Sequence, residues 1–188
     1  MKINIIVQAR MGSTRFPGKV MALLDGKPMI GHLRDELQKC KRVDDIVFAI
    51  PASADNAELE DYLLRPGQKM VVGSEDDVAD RFWGALKAYP CDYFIRVCGD
   101  SPLVTAGEVD ALITDAPSMD ITFREDSDGR RRGQPQMMKT DIWLKALPFF
   151  DAYDREHVTT FFTRRLIVDT PEDLDYVERW TQFQKLIS

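Results

Sequence analysis

The chain has 188 residues, 44% hydrophobic and 30% charged, which suits one globular domain and argues against disorder. A formal net charge of -6 speaks against a general nucleic-acid binder, which needs a basic face for phosphates. There is no run as long as a membrane span, no signal-peptide pattern, and three cysteines form no CxxC pair, so no membrane, disulfide framework or zinc site is expected and the reading is cytoplasmic.

Ile3 to Val7 (INIIV) reads as a buried strand, and it runs straight into the basic loop QARMGSTRFPGK, Gln8 to Lys19. PMIGHLRDELQKC reads as a helix with Met29, Ile30, Leu33 and Leu37 along one stripe. DIVFAIP is a second strand, NAELEDYLL a helix and KMVVG a short third strand. GSEDD then offers Ser74 or Asp76 as N-cap of the amphipathic helix DVADRFWGALKAY, with Val78, Phe82, Ala85, Leu86 and Tyr89 at helical spacing. DYFIRVCG is the fourth strand and AGEVDALITDA the helix after it.

Beyond Asp120 the alternation loosens. Arg124 to Pro135 is a polar loop, and Met137 and Met138 read as strand or core. TDIWLKAL and REHVTTFFTRR read as helices. RLIVDTPEDLDYVERW reads as a strand, a turn and a last helix, with Thr170 as N-cap, Pro171 at the first helical position and Asp173 as the acidic partner of a capping box. Strand-helix alternation predicts an α/β fold with a mostly parallel sheet and helices on both faces. Ligands of such sheets bind beyond the carboxyl ends of the strands, so the loops at 8–19, 73–77 and 99–102 should share one edge.

Three segments carry chemistry. In the opening loop five residues separate Gly12 from Gly18 and Val20 follows Lys19, so it is not a Walker motif, nor does it hold G-x-G-x-x-G. Its backbone N–H groups with Arg10, Arg15 and Lys19 suit a polyphosphate, and a solvated basic turn fits the spacing equally well. Asp100 in GDSP and Asp169 in VDTPEDL each close an apolar strand and together suit Mg2+, a hard cation that prefers oxygen ligands; turn chemistry also accounts for Asp100. Arg130, Arg131 and Arg132 are a solvated loop or an anion anchor for an acceptor, and His157 orients substrate or serves the helix it sits on.

Taken in order, VQARMGSTRFPGKVMALLDGKPMI, GSEDDVADRF, RVCGDSPLV, REHVTTFF and RLIVDTPEDLDYV resemble the spore-coat-polysaccharide type of cytidylyltransferase. That family is related to the acylneuraminate and 3-deoxy-manno-octulosonate cytidylyltransferases. The resemblance implies a nucleotide-diphospho-sugar transferase fold, a three-layer α/β/α sandwich with a mainly parallel sheet, as a single domain over 1–188. It implies Mg2+-dependent attack of a sugar hydroxyl on the α-phosphate of CTP, giving a CMP-sugar and pyrophosphate for surface polysaccharide synthesis.

By the same resemblance Arg10 and Lys19 match the triphosphate-binding basic residues, and Asp100 and Asp169 the metal-binding aspartates; these four form the catalytic set. Gln8, Ala9, Gly12, Ser13, Arg15, Ser74 and Cys98 complete the nucleotide-binding set, and His157 with Arg130 to Arg132 faces a small sugar acceptor. A homodimer is possible, since relatives are commonly dimers.

The chain departs from the pattern in three places. Cys98 stands where the octulosonate relatives place a base-reading Gln before the Gly-Asp pair. RRRGQPQMMK offers Gln134, Gln136 and Met137 where members often carry a Glu. The segment between REHVTTFF and RRLIVDTPED is short, making the carboxyl half compact. These departures leave two alternatives open: another NTP with a sugar phosphate, or a shortened member that binds nucleotide without turning it over.

Overall fold

The computed structural model describes residues 1–115, 120–123, 134–164 and 170–187. Four parallel strands form its centre: β1 (Ile3–Gln8), β4 (Asp45–Pro51), β5 (Lys69–Gly73) and β6 (Tyr93–Cys98). Two short strands, β7 (Ile121–Phe123) and β8 (Gln136–Lys139), extend the β6 side antiparallel, giving the order β5-β4-β1-β6-β8-β7. The sheet is therefore mainly parallel, as the strand-helix alternation predicts.

β1 reads as a near-continuous apolar run, interrupted by the buried Asn4, because it is covered on both faces. On one side Ile3, Ile5 and Val7 pack against α1 (Met29–Leu37), α2 (Ala57–Leu63) and α4 (Ala106–Asp115) through Ile30, Leu33, Leu37, Leu59, Leu63 and Leu112. On the other, Ile6, Phe94 and Met138 meet α3 (Val78–Ala88), α5 (Thr140–Ala146) and α7 (Pro171–Ile187) through Phe82, Leu86, Trp143 and Phe183. These are the three layers. Trp143 is fully buried, with its ring edge-on to Phe94 at 5.6 Å and 85°. Truncating it to alanine would cost about 3–5 kcal/mol.

Three local features differ from the sequence reading. Leu23 to Pro28 is a small hairpin of β2 (Leu23–Leu24) and β3 (Lys27–Pro28). Its turn residues Asp25 (φ 49°) and Gly26 (φ 76°) are both left-handed, as the Asp-Gly pair of a tight two-residue turn favours. The N-cap of α3 is Asp77, whose carboxylate accepts the Asp80 N–H at 2.9 Å, rather than Ser74 or Asp76; Ser74 Oγ instead accepts the Asp77 N–H at 3.1 Å. REHVTTFFTRR is also no single helix: α6 (Ala152–His157) ends at Val158, and a 3-10 turn follows over Thr160–Phe162.

The break has a visible cause. Val158 adopts φ 64°, a conformation that a β-branched residue strongly disfavours and that a continuing helix cannot contain. The surroundings hold it there. The Trp143 indole N–H donates to the Val158 carbonyl at 2.9 Å, and Val158 is fully buried. Asp154, also fully buried, accepts from the Thr160 hydroxyl at 2.9 Å and pairs with Arg164 and Arg179 at 3.3 and 3.1 Å. α7 starts as its sequence predicts: Thr170 Oγ1 accepts the Asp173 N–H at 3.2 Å and Asp173 Oδ2 accepts the Thr170 N–H at 2.8 Å.

Candidate functional site

The loops after β1, β5 and β6 meet at the carboxyl edge of the sheet and, with the end of α6, enclose a cleft of about 710 Å3. The opening loop is closed on itself, since the Gly18 N–H donates to the Met11 carbonyl at 2.8 Å. Gly18 makes that turn with φ 71°, where a side chain would be strained. The loop is also tied down from outside. Asn56, almost wholly buried at the start of α2, accepts the Met11 N–H at 2.8 Å. Its amide nitrogen reaches Ser53 Oγ at 2.7 Å and Glu75 Oε2 at 3.2 Å, joining three loops through one side chain.

The end of β6 presses against the end of β1. The Gly99 N–H donates to the Gln8 carbonyl at 2.8 Å, and a Cβ at position 99 would lie 2.7 Å from Ala9 Cβ. Only glycine lets the chain turn there and bring Asp100 over the cleft. Asp100 forms an ion pair with Lys19 across the cleft mouth. Two residues separated by 81 positions are thus joined because β1 and β6 are neighbours.

The other charges are arranged unequally. Arg10 lies 3.6 Å from Glu156, while Arg15 has no hydrogen-bond or ion-pair partner among the described residues. Arg81 is 2% exposed and donates to the Ser74 carbonyl and, at 3.1 Å, to that of Glu75. Burial pushes its pKa down, and the nearby Arg10 charge adds to the effect. Arg96 rises from β6 into the cleft floor, with Nε on Gln8 Oε1 at 2.9 Å and a terminal nitrogen on Gln136 Oε1 at 2.8 Å. The Thr159 hydroxyl donates to the same Gln136 oxygen at 2.7 Å. Burial lowers the pKa of His157; Glu156 raises it, and Arg96 and Arg164 lower it further. The imidazole is therefore neutral at pH 7.

Of the residues expected from sequence, Gln8, Ala9, Arg10, Gly12, Ser13, Arg15, Lys19, Cys98, Asp100 and His157 line the cleft. Ser74 does not; its hydroxyl and carbonyl serve the turn before α3. Asp169 and Arg130 to Arg132 lie outside the described residues. Glu75, Arg81, Arg96 and Glu156 line the cleft as well and were not expected from sequence. For Arg96 a signal existed, namely a charged residue in the middle of the otherwise apolar strand YFIRVC.

The residues present define what metal would fit. Among the described residues no three His, Cys, Asp or Glu side chains converge, so there is no protein cage for a transition metal. Asp100 offers carboxylate oxygens at the cleft mouth, which suits a hard cation bound by one or two carboxylates with phosphate oxygens completing its shell.

A mainly parallel three-layer sheet with a basic, glycine-bearing loop after its first strand and an acidic residue after its fourth defines an α/β protein of the nucleotidyltransferase class. Within that class the chain belongs to the cytidylyltransferase family, whose model matches residues 4–168. The 3-deoxy-manno-octulosonate cytidylyltransferase of Bdellovibrio bacteriovorus is 35% identical over 126 residues, 64% of this chain and 49% of that protein. The spore coat polysaccharide biosynthesis protein SpsF of Bacillus subtilis is 34% identical over 115 residues, 59% of this chain and 48% of that protein. The chain spans about half the length of these curated relatives. A solved cytidylyltransferase from Leptospira borgpetersenii superposes with a TM-score of 0.77 at 22% identity, covering 100% of this chain and 95% of the other, so the fold is shared over the whole length.

Proposed function

We propose that the protein is a divalent-metal-dependent cytidylyltransferase that transfers CMP from CTP to a sugar acid and releases pyrophosphate, with Mg2+ as the working ion. The observation that carries this reading is the convergence of Arg10, Arg15 and Lys19 on one cleft opposite Asp100. The loop supplies backbone N–H groups and cationic side chains for a triphosphate. The acceptor hydroxyl forms a new O–P bond at the α-phosphate, loses its proton, and the bond between the α-phosphate and its bridging oxygen to the β-phosphate breaks. Lys19 and the loop arginines offset the charge that builds on the departing pyrophosphate, which is most of what such a transfer asks of a protein. Asp100 would hold the ion, which when bound neutralises phosphate charge. Asp169, expected as a second carboxylate, belongs to the same proposal.

Membership of the family and the name of the Bdellovibrio relative support a sugar acid as acceptor, and the name of the Bacillus relative supports a role in surface polysaccharide synthesis. No helix among the described residues is long and apolar enough to cross a membrane. The test is pyrophosphate release with each of the four NTPs, Mg2+ and a panel of sugar acids. Release with CTP alone, abolished by Asp100→Asn in a folded protein, is the expected result. Release with a different NTP and a sugar 1-phosphate, or turnover by Asp100→Asn near that of the parent, would overturn the reading.

A further inference from the structure

We infer that Arg96 is the carboxylate anchor of the acceptor, so that this cleft selects sugars bearing an acid group; the inference rests on the acceptor class proposed above. The cations of the cleft are not equivalent. Lys19 faces Asp100, Arg10 faces Glu156, Arg81 is consumed by two loop carbonyls, and Arg15, which also lacks an acidic partner among the described residues, belongs to the opening loop assigned above to the triphosphate. Arg96 has only neutral partners, the side-chain oxygens of Gln8 and Gln136. Among the described residues it has no carboxylate partner, although it lines the cleft.

Its position explains what that charge is for. Phe94 and Met138 sit on the same sheet face as Arg96 and Gln136, one register step deeper, in the aromatic core around Trp143. The face therefore changes abruptly from apolar to cationic at the cleft floor. Charge at the border of a low-dielectric core is costly unless a function or a counter-charge retains it. The side chain is also oriented in advance. Gln8 and Gln136 hold the guanidinium from two strands, and the Thr159 hydroxyl bonds the same Gln136 oxygen, fixing which way that amide points. With Nε given to Gln8 and one Nη1 hydrogen to Gln136, the guanidinium keeps its Nη2 hydrogens and the second Nη1 hydrogen for a planar two-oxygen ligand, which a carboxylate supplies.

The position of Gln136 decides whether Arg96 stays available. A carboxylate there would sit within bonding distance of the guanidinium and neutralise it. An amide orients Arg96 and leaves its charge to the ligand. The neutral His157 imidazole nearby adds no second positive charge and leaves room for the hydroxyls of a sugar.

The experiment is a calorimetric titration of the full chain with Mg2+ and a CTP analogue carrying a methylene bridge between its α- and β-phosphates, so that binding is read without turnover. The probes are 3-deoxy-manno-octulosonate, other 2-keto-3-deoxy sugar acids and the methyl ester of each. The parent should bind at least one acid well above its ester. Arg96→Gln should weaken acid binding on the order of 10- to 100-fold, the range of a charge-assisted hydrogen bond, and leave the ester unchanged. Arg96→Lys should fall between, and Gln136→Glu should act like Arg96→Gln. CTP affinity and the thermal melt report whether each variant is folded with its loop intact. Equal weakening of acid and ester, unchanged acid binding in folded Arg96→Gln, or a parent that binds no acid of the panel at millimolar concentration overturns the inference. A parent that binds acids through Arg96 but releases no pyrophosphate with CTP and Mg2+ would sink the enzymatic proposal and leave the carboxylate site standing. Turnover with an acid acceptor whose KM is unmoved by Arg96→Gln would do the reverse.

Discussion

Asp77 grips Arg155 through Oδ2 at 2.6 Å while its Oδ1 caps α3, so one carboxylate joins the β5–α3 loop to α6. The two roles separate by substitution. Asn also caps helices well, so Asp77→Asn should lose only the partly exposed ion pair, about 0.5–1 kcal/mol. Asp77→Ala should lose the cap as well, about 2 kcal/mol in all. Chemical denaturation of the two variants checks the difference, and equal losses would show that the cap contributes nothing.

Gly99 makes a sharper case. An alanine Cβ would stand 2.7 Å from Ala9 Cβ and 3.1 Å from the Gln8 carbonyl, and neither neighbour is the end of a flexible chain. Gly99→Ala should therefore separate β6 from β1 where Asp100 turns over the cleft, costing about 1–3 kcal/mol. Turnover should fall more than the melting temperature suggests, because Asp100 moves with the strand end. An unaltered melt and rate would refute the close approach.

Asn56 lies outside the cleft, yet it anchors the loop that lines it. Asn56→Ala removes the acceptor of the Met11 N–H and the link to Ser53 and Glu75. About 1–3 kcal/mol of stability should go, with a raised KM for the nucleotide and little change in that for the acceptor. A KM effect confined to the acceptor would place the anchor elsewhere.

The His157 imidazole should titrate below 6.5, because burial first and then the charges of Arg96 and Arg164 oppose its protonation. A histidine whose folded pKa is depressed contributes stability that is full above its unfolded value near 6.5 and declines as pH falls through the lower folded one. Removing the Arg96 charge in Arg96→Gln should move the midpoint up, toward but not to the free value, since burial persists. NMR titration of the ring protons reads both; a downward move would contradict the proximity of the two side chains.

Asp154 joins α6, the 3-10 turn and α7. Asp154→Asn keeps the shape and removes the charge facing Arg164 and Arg179. Breaking a buried pair from one side costs about 3–5 kcal/mol, so the melting temperature should drop by many degrees. A drop of a degree or two would mean that Asp151, which also pairs with both arginines, carries the network alone.

The parts of the fold legible in sequence are those that local pattern determines. INIIV announces a two-face-buried strand, and Thr170, Pro171 and Asp173 announce the start of α7. Val158 could not be read this way, because its left-handed backbone is imposed by Trp143 and the Asp154 network rather than by its own preference. Within the site, the basic loop and Asp100 stand at strand ends, where sequence points to ligands. Arg96 and Gln136 were obscured because their meeting depends on β8 lying antiparallel beside β6, a non-local pairing made after α4 and β7 have intervened.

The Lys19–Asp100 pair also determines what the resting cleft ignores. A bare anion drawn to Lys19 must first part it from Asp100, and a bare cation drawn to Asp100 faces the mirror-image loss, so each gains less than it would at an unpaired charge. A ligand bringing phosphates and a divalent cation together offers each partner a replacement at the same moment. Under the proposed function, Asp100 and Lys19 would therefore act as a coincidence detector, favouring phosphate and divalent cation arriving in one complex over either alone.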